Sequence, residues 1–138
     1  MRLFVDTNVM LDLLGERMPY YKAAAKIATL SDRGEVHLFV SALSYATVNY
    51  FLEKYVGRSE AKEKLKGFKI ISEIANINDS IIEKALYSNF KDFEDALQYF
   101  NALESQCDII IARNGKDFKL SEIPVMTAEE YLAGMHKR

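Results

Sequence analysis

Three short runs of apolar, β-forming residues set the limits on this chain: RLFV (Arg2–Val5), VHLFVS (Val36–Ser41) and DIIIA (Asp108–Ala112). Each is too short for a stable helix. None alternates cleanly between apolar and polar, so each needs cover on both faces. The stretches between them carry a helical period instead. Strands buried on both faces and separated by helices describe an α/β fold, a three-layer α/β/α sandwich around a mainly parallel sheet of four to five strands.

The helical stretches have local start and stop signals. Val9, Leu11, Leu13 and Leu14 begin a helix that Gly15 and Pro19 interrupt. YYKAAAKIATLSDRG is a second, with Gly34 at its stop. SYATVNYFLEKY follows the second strand, and another helix is expected from Ser59 to about Glu73, with a third strand near Ala75–Ile77. NDSIIEKAL opens on an N-cap residue at Asn78 or Asp79. In DFEDALQYFNALES, Phe93, Ala96, Leu97, Phe100 and Leu103 fall on one helical face. A last strand is expected at Val125–Met126, and Thr127 caps the helix after it.

Length and composition bound the possibilities. A chain of 138 residues, 49% of them apolar, can bury one core, so a single domain over residues 1–138 is expected. No apolar run reaches the roughly 20 residues of a membrane span, and the first residues lack a signal-peptide pattern. Cys107 is the single cysteine; it reads as a small hydrophobe, and a reducing, cytoplasmic setting is expected. The net charge of −2 offers no global attraction to nucleic acid, so phosphates would have to be met by local patches or a metal.

Ligands of open α/β sheets bind beyond the C-terminal ends of the strands, where the strand order reverses. Asp6 ends the first strand, ARNGKDF with Asp117 follows the most apolar strand, and the helix entering that strand opens with Asp92 and Asp95. Asp6, Asp95 and Asp117 can therefore share one edge. Crowded carboxylates raise each other's pKa, a conflict that a divalent cation removes. Mg²⁺ takes a few carboxylates and keeps waters, polarises a phosphodiester and lowers the pKa of an attacking water. No Ser–His or His–Cys arrangement competes. Each acid also has a structural reading: Asp6 as a helix cap, Asp92 and Asp95 as an N-cap and a first-turn acid, Asp117 as a turn residue. An aspartyl-phosphate phosphatase also starts with an Asp after its first strand, but needs a second acid where this chain has Asn8.

VDTNVMLDLL, SALSYATVNYFL, DFEDALQYFNAL and ARNGKDF, in this order and spacing and followed by IPVMTAEEYL, resemble the PIN domain. That fold is shared by many metal-dependent ribonucleases and by the toxin subunits of VapBC-type toxin–antitoxin pairs. The resemblance covers nearly the whole chain. It implies a Mg²⁺- or Mn²⁺-dependent endoribonuclease with an RNA substrate, an antitoxin protein as partner, and a homodimer. Residue by residue, it makes Asp6 the first acidic metal ligand, Asp95 the helix ligand and Asp117 the acid of the NxxDF turn. It makes Asn8 and Asn114 supporting polar residues, with Asp92 supporting Asp95 from one turn away.

Two positions depart from the family pattern. The glutamate usual in the helix after the second strand is Thr47 here, and the Thr or Ser that often precedes the fourth-strand turn is Ala112. One carboxylate fewer weakens divalent binding, although a threonine still offers one hydrogen bond. The alternative reading is therefore a catalytically weakened PIN-fold module that binds RNA or protein.

Around the site, Arg113, Lys116, Lys62 and Lys66 are the candidate RNA phosphate contacts, the last two on a helix that also reads as a solvated, ion-paired face. Tyr20, Tyr21, Tyr45, Tyr50, Phe51 and Tyr55 are expected mostly in the core, with some at a homodimer or antitoxin surface. His37 and His136 have no partner at metal-ligand spacing, and Asp12 reads as a surface or capping residue.

Overall fold

The apolar runs pair with one another because each leaves a row of backbone donors and acceptors that only another strand can satisfy once water is excluded. In the computed structural model, which describes residues 1–135, they form one five-stranded sheet in the order β3-β2-β1-β4-β5. The strands are β1 (Arg2–Val5), β2 (His37–Ser41), β3 (Ser72–Ala75), β4 (Ile109–Ile111) and β5 (Val125–Met126), and every pairing is parallel. Six helices connect them: α1 (Thr7–Leu14), α2 (Tyr21–Asp32), α3 (Ala42–Ile70), α4 (Asp79–Leu86), α5 (Phe93–Glu104) and α6 (Ala128–Met135). His136 lies outside the described residues.

Alternate residues of the central strands face opposite layers. Leu3, Val5, Leu38, Val40, Ile109 and Ile111 pack against α1, α2, α3 and α6. Phe4, Phe39 and Ile110 face the other way, onto Tyr99 and Ala102 of α5. Each large side chain so buried contributes about 1.5–3 kcal/mol. A second seam, Ile81 and Ala85 against Ala96 and Leu97, fixes α4 on α5. The expected three-layer sandwich is the fold observed.

Tertiary contacts moved several local expectations. The helix expected to run to Glu73 stops at Ile70, because Ser72–Ala75 pairs in register with Leu38–Ser41. The third strand thus starts three residues before the Ala75–Ile77 expected. Within α3, Gly57 breaks the helix with a left-handed φ of 86°, a conformation that costs glycine little. None of the six aromatics expected mostly in the core is fully buried, and Tyr50 and Tyr55 are 56% and 57% exposed. The buried row of α3 is Ser44, Val48 and Leu52, which leaves Tyr50, Phe51 and Tyr55 off the core face, while Tyr45 packs against the core half-buried. On α5, Phe93 and Leu103 are exposed while Gln98 and Asn101 are buried, because the helix is wedged between the sheet and α4 and buries two sides.

Candidate active site

The chain leaves β1 for β2 and β3 on one side, then returns to lay β4 and β5 on the other. The strand order therefore reverses between β1 and β4, and the crevice of an open α/β sheet lies at their C-terminal ends. The backbone N–H of Asp6 donates to Ile111 O at 3.0 Å and closes that end of the pair. Asp6 occupies the N-cap position of α1 in extended conformation, only 6% exposed.

Two further elements carry acids to the same place. Asp92 caps α5, its Oδ1 accepting from the Asp95 N–H at 2.9 Å, and so holds the turn that presents Asp95. Asn114 caps the 3-10 turn Gly115–Phe118 by accepting from the Lys116 N–H at 3.2 Å, and this turn presents Asp117. Phe118 anchors the turn in the core. A groove of about 200 Å³ runs between the two elements, lined by Asp92, Asp95 and Asp117 together with Lys91, Lys116 and Lys119.

The carboxylates act on one another. Burial, and after it repulsion from Asp92, Asp117 and Asp6, together push the Asp95 carboxyl up to about 7. Asp6 stands at about 6 on balance, with burial the largest cause and Asp117 a smaller one in the same direction. The Gln98 side chain and the backbone N–H groups of Asn8 and Thr7 pull it down by hydrogen bonding, although no cap hydrogen bond of regular geometry forms. The donor set is all oxygen and negatively charged, which suits a hard divalent cation. Among the described residues, no three His, Cys, Asp or Glu side chains are placed to enclose an ion by themselves. Mg²⁺ generally takes only a few carboxylates and completes its shell with water.

Residues 2–116 match the PIN domain family model. The chain belongs to the PIN domain family. It is 33% identical over 135 residues to ribonuclease VapC1 of Aquifex aeolicus, which covers 94% of this chain and 92% of that one. Three solved structures share the fold at low identity. VapBC2 of Rickettsia felis, bound to a promoter DNA fragment, matches with a TM-score of 0.65 at 16% identity, covering 91% of this chain and 97% of that one. VapC20 of Mycobacterium tuberculosis, a Sarcin-Ricin loop cleaving toxin, matches with a TM-score of 0.67 at 14% identity over 86% of this chain and 94% of that one. PAE2754 of Pyrobaculum aerophilum gives 0.67 at 15% identity over 100% and 91%.

The other sequence-derived candidates of this PIN domain are scattered. Asn8 is exposed on the first turn of α1, and Thr47 is half-buried on α3. Lys116 lines the acidic groove. Lys62 and Lys66 sit on the second half of α3, which leads toward the start of β3, and Lys66 pairs with Glu63 at 3.2 Å. Arg113 is committed elsewhere: its Nε lies 3.1 Å from Asp12 Oδ2 and its guanidinium stacks 4.4 Å over the Tyr20 ring.

Asp12 is no surface residue. It is 1% exposed and is also gripped by Arg17, whose Nε donates to Oδ1 at 3.0 Å with Nη2 at 2.9 Å. Sequence reading also passed over a buried polar cluster. Gln98 Oε1 accepts from the Thr7 N–H at 3.2 Å and from Thr7 Oγ1 at 3.4 Å, and Thr7 Oγ1 meets Ser44 Oγ at 2.7 Å. The one sequence signal was a glutamine between Leu97 and Tyr99 in an otherwise apolar stretch of helix.

Proposed function

We infer that this protein is a metal-dependent endoribonuclease and the toxin component of a toxin–antitoxin pair. The observation that carries this reading is the gathering of Asp6, Asp95 and Asp117 at the strand-reversal crevice, where Asp6 and Asp95 each have raised pKa values through burial and through the other acids. Carboxylate pKa values raised by burial and by one another are the expected signature of a site built for an added positive charge. The relative named as a ribonuclease, similar over nearly the full length of both chains, supports the activity. The VapBC2 neighbour supports an antitoxin partner.

Asp6, Asp95 and Asp117 would hold Mg²⁺ or Mn²⁺, with Asp92 fixing Asp95. The ion would supply polarisation of the phosphodiester and a bound water of lowered pKa. Lys91, Lys116 and Lys119 contact the RNA phosphates along the groove, and Arg113 instead braces the turn from β4 by its pairing with Asp12. Asn8 and Asn114 shape the two strand ends. The exposed rings of Tyr50, Phe51 and Tyr55 provide apolar surface for an antitoxin or a second copy.

The test is RNA cleavage with added Mn²⁺, which Asp6→Asn and Asp95→Asn should abolish, together with loss of divalent binding in calorimetric titration. Cleavage that needs no metal, or no metal binding at millimolar concentration, would sink the reading. The neutral Thr47 favours a second one, a PIN module that binds RNA without cutting it. Intact metal and RNA binding with no cleavage under any divalent ion would select it.

A further inference from the structure

Asp6 is supported by neutral groups whose hydrogen-bond directions are determined. Gln98 Oε1 can only accept, and it receives the Thr7 N–H at 3.2 Å. That fixes which way the amide points, since the opposite flip would set NH₂ against a backbone donor. The Gln98 NH₂ is thereby left for the Asp6 carboxyl, whose pKa this side chain lowers. Thr7 Oγ1 lies 3.4 Å from the same Oε1, so the threonine hydroxyl donates to it. The Ser44 hydroxyl must then donate to Thr7 Oγ1 across their 2.7 Å contact. The donors run one way, from Ser44 through Thr7 and Gln98 to Asp6.

This relay joins three elements at the crevice: the start of α1, the first turn of α3 and the second turn of α5. Ser44, Gln98, Asp6 and Thr7 are all buried, so water does not compete for these bonds. Thr47, one turn after Ser44 on α3, takes no part in them. The contribution of α3 to the crevice is a buried hydroxyl at 44 rather than a carboxylate at 47.

We propose that Gln98, held in place by Thr7 and Ser44, is a positioning residue that sets the Asp6 carboxylate for a divalent cation. This rests on the metal-dependent reading above. A buried carboxylate whose side-chain donor is fixed, beside the backbone N–H groups of Asn8 and Thr7, keeps its remaining lone pairs aimed at the crevice. Without that donor it can rotate, and each metal encounter must first reorder it. Partners of this kind commonly change metal affinity by about 10–100-fold when removed.

The experiment compares Mn²⁺ affinity, by calorimetry, with the thermal melt and with RNA cleavage for the full chain and four variants. Gln98→Met keeps the side-chain length and removes both hydrogen-bonding ends; its Mn²⁺ affinity should fall about 10-fold while the protein still melts cooperatively. Ser44→Ala should move affinity in the same direction by a smaller factor. Thr7→Val should weaken binding and Thr7→Ser should restore it, a rescue that general loss of packing would not produce. Gln98→Met and Ser44→Ala that bind Mn²⁺ like the wild type would overturn the proposal, as would equal losses in Thr7→Val and Thr7→Ser. If Gln98→Met fails to fold, the Ser44 and Thr7 variants decide. A wild-type chain that binds no Mn²⁺ removes the underlying nuclease reading itself, an outcome visible before any variant is made.

Discussion

Asp6 and Asp12 stand six residues apart, one at the N-cap of α1 and one inside it, and both are buried, at 6% and 1% exposure. Their surroundings differ in sign. Asp12 lies between two guanidinium groups, Arg17 from the loop after α1 and Arg113 from the turn after β4. Its pKa is raised by burial, with both arginines pulling it back toward the charged form. Asp6 meets an amide, two backbone N–H groups and the field of Asp117. A buried carboxylate with cations around it ties elements together; one left among dipoles and other carboxylates has capacity for a ligand. Burial alone does not separate the two roles, whereas the sign of the neighbouring charge does.

The sharpest way to break this comparison is to neutralise each aspartate. Asp6→Asn should lower RNA cleavage by at least about 100-fold, the upper end of what removing a supporting group costs, and should leave the melting temperature unchanged or raise it. Asp12→Asn should do the reverse. It strands two arginines beside a neutral amide and should cost about 3 kcal/mol in urea unfolding, with cleavage reduced only as far as the turn from β4 loosens. A stable Asp12→Asn, or an Asp6→Asn that still cleaves, would show that the two sites are not different in kind.

The pH dependence sharpens the same contrast. The pKa values of Asp6 and Asp95 are raised from 3.8 to about 6 and about 7. The folded state therefore binds these protons more tightly than the unfolded chain. Their contribution to stability is complete below pH of about 4 and is lost as the pH rises through 6 and 7. The metal-free protein should melt at a lower temperature at pH 8 than at pH 5 on account of these groups, and millimolar Mn²⁺ should recover the difference at pH 8. Asp95→Asn should flatten the pH trend and weaken the Mn²⁺ response; a trend unchanged in that variant would place the titration elsewhere.

A smaller effect is expected at Thr47. Thr47→Glu adds one carboxylate on the helix that carries Ser44, and should tighten Mn²⁺ about 3–10-fold if position 47 faces the ion. No change in affinity would show that α3 acts through Ser44 alone. Smallest of all, Lys116→Gln should weaken RNA binding modestly and reduce its salt slope by roughly one phosphate contact, while Lys62→Gln leaves both unaltered. Equal effects at the two lysines would move the RNA path onto α3.

Much of this fold was legible in the sequence because the determining signals are local. RLFV and DIIIA are apolar on both sides, so they had to be interior strands; α1 and α2 stop just before Gly15 and Gly34, and α4, α5 and α6 start directly after Asn78, Asp92 and Thr127. The acidic edge followed from topology, since parallel strands send all their C-terminal ends one way. The capping functions of Asp92, Asn114 and Thr127 were written in the same local code, the last as a reciprocal pair with Glu130 at 3.1 and 2.8 Å. Local pattern failed where a partner from a distant element decided the outcome. Ser72 and Glu73 continue a helical pattern and become a strand because β2 pairs with them.

The amino-acid sequence by itself determined the order of strands and helices, the parallel sheet and the acids available to its C-terminal edge. Only the tertiary structure decided which polar residues are buried and what they meet. Thr7 finds Gln98 across 91 positions and Ser44 across 37, and Asp12 in the helix after β1 finds Arg113 just after the neighbouring strand β4. A buried polar group is tolerated only when its partners arrive, and those partners come from segments that folding alone brings together.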